Sequence, residues 1–263
     1  MSDRLRVRLE QAAADGQGIL FLSAHLDDAV LSCGALASTL ARAMPLTVAT
    51  VFTAAGPPPH TRTAQAFLRQ CKANNAEGLF AARRQEDVDV LSDLGVEHLH
   101  LGVPDALFRR RETRPATAAL GRVLPEAVHR YPTFRFDIDK GRVARGDRAL
   151  VDRLNDELSR VLNRIDAGLV FAPVGVGRHV DHLLTRSLGA RCPRRVVYYS
   201  DFPYDQRHLP DPAFLAAHRL EAVTWGEGVD RKPDLIRGYR TQAAALFPSG
   251  NIPVVRETYY VPT

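Results

Sequence analysis

From Gly18 to Ala24 the chain reads Gly-Ile-Leu-Phe-Leu-Ser-Ala, a continuous apolar run with no alternation. Such a strand cannot turn one face to water. It is buried on both sides, as strands are in parallel sheets covered by helices. Leu46 to Phe52, Leu169 to Ala172 and Val196 to Tyr199 repeat the signal, and Glu97 to Leu101 alternates like a strand. Between them lie helical patterns. Val30, Leu31, Ala35, Leu36 and Leu40 share one face, and further helices are predicted near 62–76, 83–94, 148–166 and 232–246. This βαβα order predicts an α/β, Rossmann-like fold, a doubly wound, mostly parallel sheet flanked by helices. A single domain over 1–263 suits the length. Residues 105–147 are arginine-rich and fit less well. They are predicted to be an insertion over the rim of the sheet, with a hairpin from Phe134 to Val143 turning at Lys140-Gly141.

Composition removes several function classes. The pI of about 9.4 suggests nucleic acid, but the charge is scattered arginine, with lysine only at Lys72, Lys140 and Lys232. No basic patch interleaved with stacking aromatics is visible, so no nucleic-acid partner is expected. The run Arg109-Arg110-Arg111 reads as a solvated charge run. Cys33, Cys71 and Cys192 are widely spaced and odd in number, which argues against a disulfide framework or a zinc knuckle. The N-terminus lacks the apolar core of a signal peptide, and no apolar run is long enough to span a bilayer. A cytoplasmic location without a membrane anchor is expected.

Chemistry gathers where buried strands end, the place where α/β folds hold their ligands. The first run leads into His25-Leu-Asp27-Asp28. Imidazole and carboxylate are zinc ligands, although adjacent aspartates also suit a helix N-terminus through capping and the macrodipole. The strand at 169–172 leads into Pro173-Val-Gly-Val-Gly-Arg-His179-Val-Asp181-His182. Gly175-Val-Gly177 is half of a phosphate loop and lacks a third glycine. His179 and His182 are three apart and face broadly one side of a helical turn. His25 and Asp28 complete a three-ligand set with His182, leaving a fourth position open for water as in catalytic zinc sites. Asp27 is then left to move protons.

At these residues the chain resembles the LmbE-like, or PIG-L, family of zinc-dependent N-acetylglucosaminyl deacetylases. Ala24-His25-Leu26-Asp27-Asp28-Ala29 is similar to the family's first signature, and His179 to His182 to its His-x-Asp-His motif. Weaker matches follow in order: Arg83 to Glu86 with Leu94-Gly95, then Leu101-Gly-Val-Pro-Asp105, and finally Lys232, Ile236, Tyr239, Thr241 and Gln242. The resemblance implies that His25, Asp28 and His182 bind Zn2+ and that Asp27 is the general base. It implies that His179, oriented by Asp181, stabilises the oxyanion or protonates the leaving amine as a charged imidazole. It also implies that Arg83 and Asp105 contact the substrate sugar. Leu26 and Ala29 depart from the family's proline and glutamate, and the second change removes a carboxylate beside the site.

The implied reaction is hydrolysis of the acetamide of an N-acetylglucosamine-type amino sugar in a glycoconjugate or secondary metabolite, releasing acetate. Two other readings stay open: an amidase for a larger acyl group, and a non-catalytic sugar- or nucleotide-binding module. Asp201-Phe-Pro-Tyr204 follows a strand and is expected on the rim, contacting substrate or packing as a turn. The insertion and the Pro57-Pro-Pro59 loop are expected to act as lids.

Overall fold

A computed structural model of the chain describes residues 3–263. In chain order the elements are α1 (Asp3–Ala14), β1 (Gly18–Ser23), α2 (Asp28–Leu40), β2 (Leu46–Thr50), α3 (Arg62–Gln70), α4 (Ala76–Leu94) and β3 (Glu97–His100). Then come α5 (Pro115–Leu120), α6 (Asp147–Arg164), β4 (Ala167–Pro173), α7 (Val180–Arg191), β5 (Arg195–Tyr199) and α8 (Pro212–Ala217). The chain ends with β6 (Leu220–Trp225), α9 (Lys232–Gly238), α10 (Arg240–Leu246) and β7 (Glu257–Pro262). The strands form one sheet in the order β3-β2-β1-β4-β5-β7-β6. The first five pair in parallel, and β7 joins β5 and β6 antiparallel. This is the doubly wound, mostly parallel sheet that the sequence predicts.

Central placement explains the unbroken apolar run of β1. Ile19 and Phe21 enter a core with Leu5 of α1, Leu36 of α2 and Val90 of α4. Leu20 and Leu22 point the other way, to Leu154 and Leu158 of α6 and Leu184 and Leu188 of α7. Phe21 stacks on Phe171 of β4 with ring centroids 4.8 Å apart. The chain runs outward from β1 through β2 and β3, then returns to β4 on the other side of β1. That reversal opens a crevice at the carboxyl ends of β1 and β4. No helix among the described residues is long and apolar enough to cross a membrane.

Several elements differ from the sequence expectations. The helix expected over 62–76 stops at Gln70, and the next begins at Ala76, because the Asn75 side chain accepts the Gly78 N–H at 2.7 Å and starts a new helix. The segment 232–246 is two helices broken at Tyr239. The hairpin expected in 134–143 is instead a single wide helical turn, Phe134–Ile138. Asp137 closes that turn by accepting from Thr133 N–H and Oγ1 at 3.0 and 2.6 Å. The antiparallel strands β6 and β7 were not foreseen.

Candidate active site

The loop after β1 divides its polar groups between structure and chemistry. The Ser23 hydroxyl accepts the Ala29 N–H at 3.1 Å and so caps the first turn of α2. Asp27 occupies the N-cap position yet makes no capping bond with its side chain. Asp28 folds back, its Oδ2 accepting the His25 N–H at 2.8 Å. The pair is therefore not spent as a helix cap.

The loop after β4 turns on Gly175 and Gly177, both left-handed at φ 80 and 79, a conformation costly for any residue with a Cβ. The N–H groups of Gly175 and Val176 both donate to Asp201 Oδ2 at 2.8 Å. A carboxylate of the protein takes these amides, so the half phosphate loop cradles no phosphate here. His179 then caps α7, its Nδ1 accepting the Asp181 N–H at 3.2 Å, and His182 sits one turn on.

The two loops meet around Asp28. Its Oδ2 lies 3.1 Å from His25 Nδ1 and 3.2 Å from His182 Nε2. Each ring has a second carboxylate on its far nitrogen. Asp181 Oδ2 is 3.3 Å from His25 Nε2, and Asp201 Oδ1 is 2.6 Å from His182 Nδ1. Histidines that bind metals are held in this way, the outer carboxylate fixing tautomer and orientation. His182 Nε2 is buried and has Asp28 as its neighbour, at an angle that makes no well-formed hydrogen bond. Zinc bonds of about 2.0–2.2 Å in a tetrahedron set ligand atoms roughly 3.3 Å apart, close to the Asp28 separations. The donor set of two imidazoles and a carboxylate fits that ion. His179 also brings a nitrogen within 4.8 Å of those of His25 and His182, and Asp105 and Asp181 group likewise with His25.

Electrostatics point the same way. Burial opposes charge on both rings. The carboxylates of Asp181, Asp28 and Asp105 outweigh it and raise the pKa of His25 well above its ordinary value. Asp28 and Asp201 raise that of His182 to about 10. Asp28 is held well below the usual carboxylate range, against its burial, by His182 and His25. The carboxylates around both rings thus favour positive charge at this position. Burial and then Asp28 push Asp27 up to about 7, against Arg83 and His25. His179 goes the other way, lowered by burial and by the neighbouring His25 and His182. Its Nδ1 accepts the Asp181 N–H, so Nε2 is the nitrogen left to carry a proton toward the cavity.

Residues 20–192 match the PIG-L family, described as GlcNAc-PI de-N-acetylase. The chain belongs to that family. It is 28% identical over 190 residues to the 2'-N-acetylparomamine deacetylase of Streptomyces fradiae, a match covering 70% of this chain and 57% of that protein. It is 29% identical over 217 residues to the protein of the same name from Niallia circulans, covering 74% and 70%. The chain thus spans little more than half the length of the first relative. Among solved structures, a deacetylase from the teicoplanin biosynthesis pathway superposes with a TM-score of 0.73 at 25% identity, covering 94% of this chain and 99% of that one.

In this PIG-L chain the remaining residues fall into place around the cluster. A cavity of about 470 Å³ has His25, Asp27, Asp28, Arg83, Asp105 and His179 in its lining. Arg83 is buried against Phe67 and Phe80, its Nε unpaired. Asp105 stands 3.6 Å from His25 Nε2. Asp181 meets the His179 ring through its backbone N–H. The carboxylate instead faces His25, accepts the Ala106 N–H at 2.9 Å and pairs with Arg109. Arg109 is buried and also lies 3.5 Å from Asp147. Arg110 and Arg111 donate to the carbonyls of Pro59 and His129, so Arg109 and Arg110 are built into the structure while Arg111 stays exposed. Asp201 is buried behind His182 rather than on the rim. Residue order marked Asp201 as part of a strand-end segment and Arg109 as part of a charge run, but not the bracing role of either.

The weak late motifs prove to be one assembly. Tyr239 OH donates to Asp87 at 2.8 Å, Thr241 donates to Glu86 from N–H and Oγ1, and Gln242 donates to the Leu26 carbonyl. They tie the end of the chain to α4, which carries Arg83. Leu26 and Ala29 are both buried in apolar clusters. Among the described residues the cavity lining includes none of Pro57, Pro58 or Pro59, and the insertion reaches it through Asp105, Leu107 and Phe134.

Proposed function

We propose that this chain is a zinc-dependent N-deacetylase acting on an N-acetylglucosamine-type amino sugar in a secondary metabolite or glycoconjugate, releasing acetate and a free amine. The observation that carries the reading is the pairing of two histidines around Asp28, each braced by its own outer carboxylate. Family membership supplies the reaction class.

His25, Asp28 and His182 would hold the ion. When bound, zinc polarises an amide carbonyl and lets water act as a nucleophile near neutral pH. Asp27 lines the same cavity with its carboxylate uncommitted to the helix. It takes a proton from the attacking water as oxygen bonds to the amide carbon, and returns it to nitrogen as the C–N bond breaks. The Nε2–H of His179 donates to the carbonyl oxygen as negative charge grows there. Arg83 and Asp105 bind sugar hydroxyls. Asp181 acts on His25 and not on the substrate.

Elemental analysis of the purified chain, with amine release from N-acetylglucosaminides before and after chelation, tests this. One zinc per chain is expected, with release abolished by chelator and restored by zinc. Release that persists without metal would overturn the proposal. Mass spectrometry of the liberated acid separates acetate from a larger acyl group.

A further inference from the structure

The charged side chains of the cavity gather around His25, and the rest of its lining is aromatic and aliphatic with Thr63, Gln70, Cys71 and Gln242 among it. Among the described residues that line it, the acids are Asp27, Asp28 and Asp105, all gathered at His25. The wall beyond is built of Phe67, Phe134, Tyr204 and Leu246. They are not fully buried, although Phe67, Tyr204 and Leu246 pack against core clusters on their inner sides. Phe134 is 44% exposed, and Phe67, Tyr204 and Leu246 are half-buried. The wall begins where the cluster stops. The Phe134 ring centroid is 6.1 Å from that of His179, and Tyr204 is 5.6 Å from His182. An acetamide seated at the cluster must therefore lay whatever the sugar carries against aromatic faces.

Two features of that wall select its occupant. Arg83 covers one side of Phe67, but the exposed Phe134 ring gains by stacking on another ring and by removing apolar area from water. A polyamine sugar would need carboxylates along the wall, and Phe67, Phe134, Tyr204 and Leu246 supply none; the lining acids are Asp27, Asp28 and Asp105 at the cluster. The formal net charge of +5 adds a field unfavourable to a polycation. We infer that the substrate is an N-acetylglucosaminide whose glycosidic substituent is aromatic and uncharged, seated against Phe67, Phe134 and Tyr204. The inference rests on the deacetylase reading above and narrows its substrate.

The test compares kcat/KM of the zinc-loaded full chain for three probes: free N-acetylglucosamine, its para-nitrophenyl glycoside and an N-acetylated aminoglycoside. The aryl glycoside is expected to lead by roughly tenfold or more, the return on burying one ring. Equal rates for the free sugar, or a lead for the aminoglycoside, would overturn the inference. Should none of the three release amine, the deacetylase reading falls. Calorimetric titration then decides the wall by itself: tighter binding of the aryl glycoside than of the free sugar supports it, and equal binding refutes it. Phe134→Ala, at an exposed position where folding is safe, should cut the aryl preference by roughly three- to tenfold, and Phe134→Tyr should keep it. A preference unmoved by Phe134→Ala would count against the assignment.

Discussion

His25 and His182 face the same carboxylate but are braced by very different parts of the molecule. His182 leans on Asp201, 19 residues away at the end of the neighbouring strand β5, where two backbone amides lock the carboxylate in place. His25 leans on Asp181, 156 residues away, which is in turn held by Arg109 from the insertion. One brace belongs to the sheet. The other depends on a loop excursion folding back over the sheet edge, stacked by Arg109 on the rings of Phe52 and Tyr131 at 4.7 and 5.3 Å. The contrast teaches that the insertion is no mere lid, since it supports half of the cluster from behind.

The largest effects should come from the cluster, where both sides meet. His25→Ala and His182→Ala are expected to purify without zinc and to lose amine release, whichever brace survives. Asp27→Asn should keep its zinc and lose turnover by about 10²–10⁴, the usual range for a positioned proton carrier. Metal content with single-turnover amine release distinguishes the two classes. Near wild-type turnover in Asp27→Asn would end the general-base assignment.

Next comes the insertion brace. Arg109→Ala leaves Asp181 facing His25 without its cation, and Asp147 with only Arg130 and Tyr131. Removing one partner of such a buried pair costs about 3–5 kcal/mol, read as a lower midpoint in urea unfolding. Arg109→Lys should recover part of this, because a point charge cannot fork between two carboxylates. A variant as stable as the wild type would show that the insertion does not carry the His25 side.

The sheet brace should respond in metal affinity more than in stability. In Asp201→Asn the side-chain oxygen can still accept from Gly175 and Val176, which turns the amide NH₂ toward His182 Nδ1. That ring must then accept at Nδ1 and carry its proton on Nε2, the nitrogen facing Asp28. Zinc affinity is expected to fall about 10–100-fold, the usual cost of losing an outer partner. Competition with a chromogenic chelator measures it, and an unchanged affinity would detach Asp201 from the site.

The same contrast governs what the sequence made legible. The alternation of buried strands and helices was readable because β1, β2, β4 and β5 are covered on both faces. The strand β6, exposed at Glu221, Ala222 and Thr224, gave no such run. The candidate ligands stood out because each pair lies within four residues, on a turn that a strand end dictates. Asp201 and Arg109 do equally specific work through contacts that exist only once the chain has folded, and nothing near them in the sequence marks it. Phe134 to Ile138 misled for a third reason. Its alternation imitates a strand, yet Ile138 is buried while Phe134 and Phe136 project from a turn that Asp137 closes locally.

The smallest effect separates structure from chemistry within a single hydroxyl. Ser23→Ala removes the cap on α2, and Asn75→Ala removes the cap on α4, each worth about 1 kcal/mol. Both should shift thermal unfolding by a few degrees, a shift of about the usual size for such a loss. Only Ser23→Ala frees an N–H, that of Ala29, directly beside Asp27 and Asp28. A bare amide there competes for the carboxylates, so zinc affinity should weaken in Ser23→Ala and stay at the wild-type value in Asn75→Ala. Equal zinc affinity in both variants would mean that Ser23 serves the helix alone and that the two aspartates hold their places without its help.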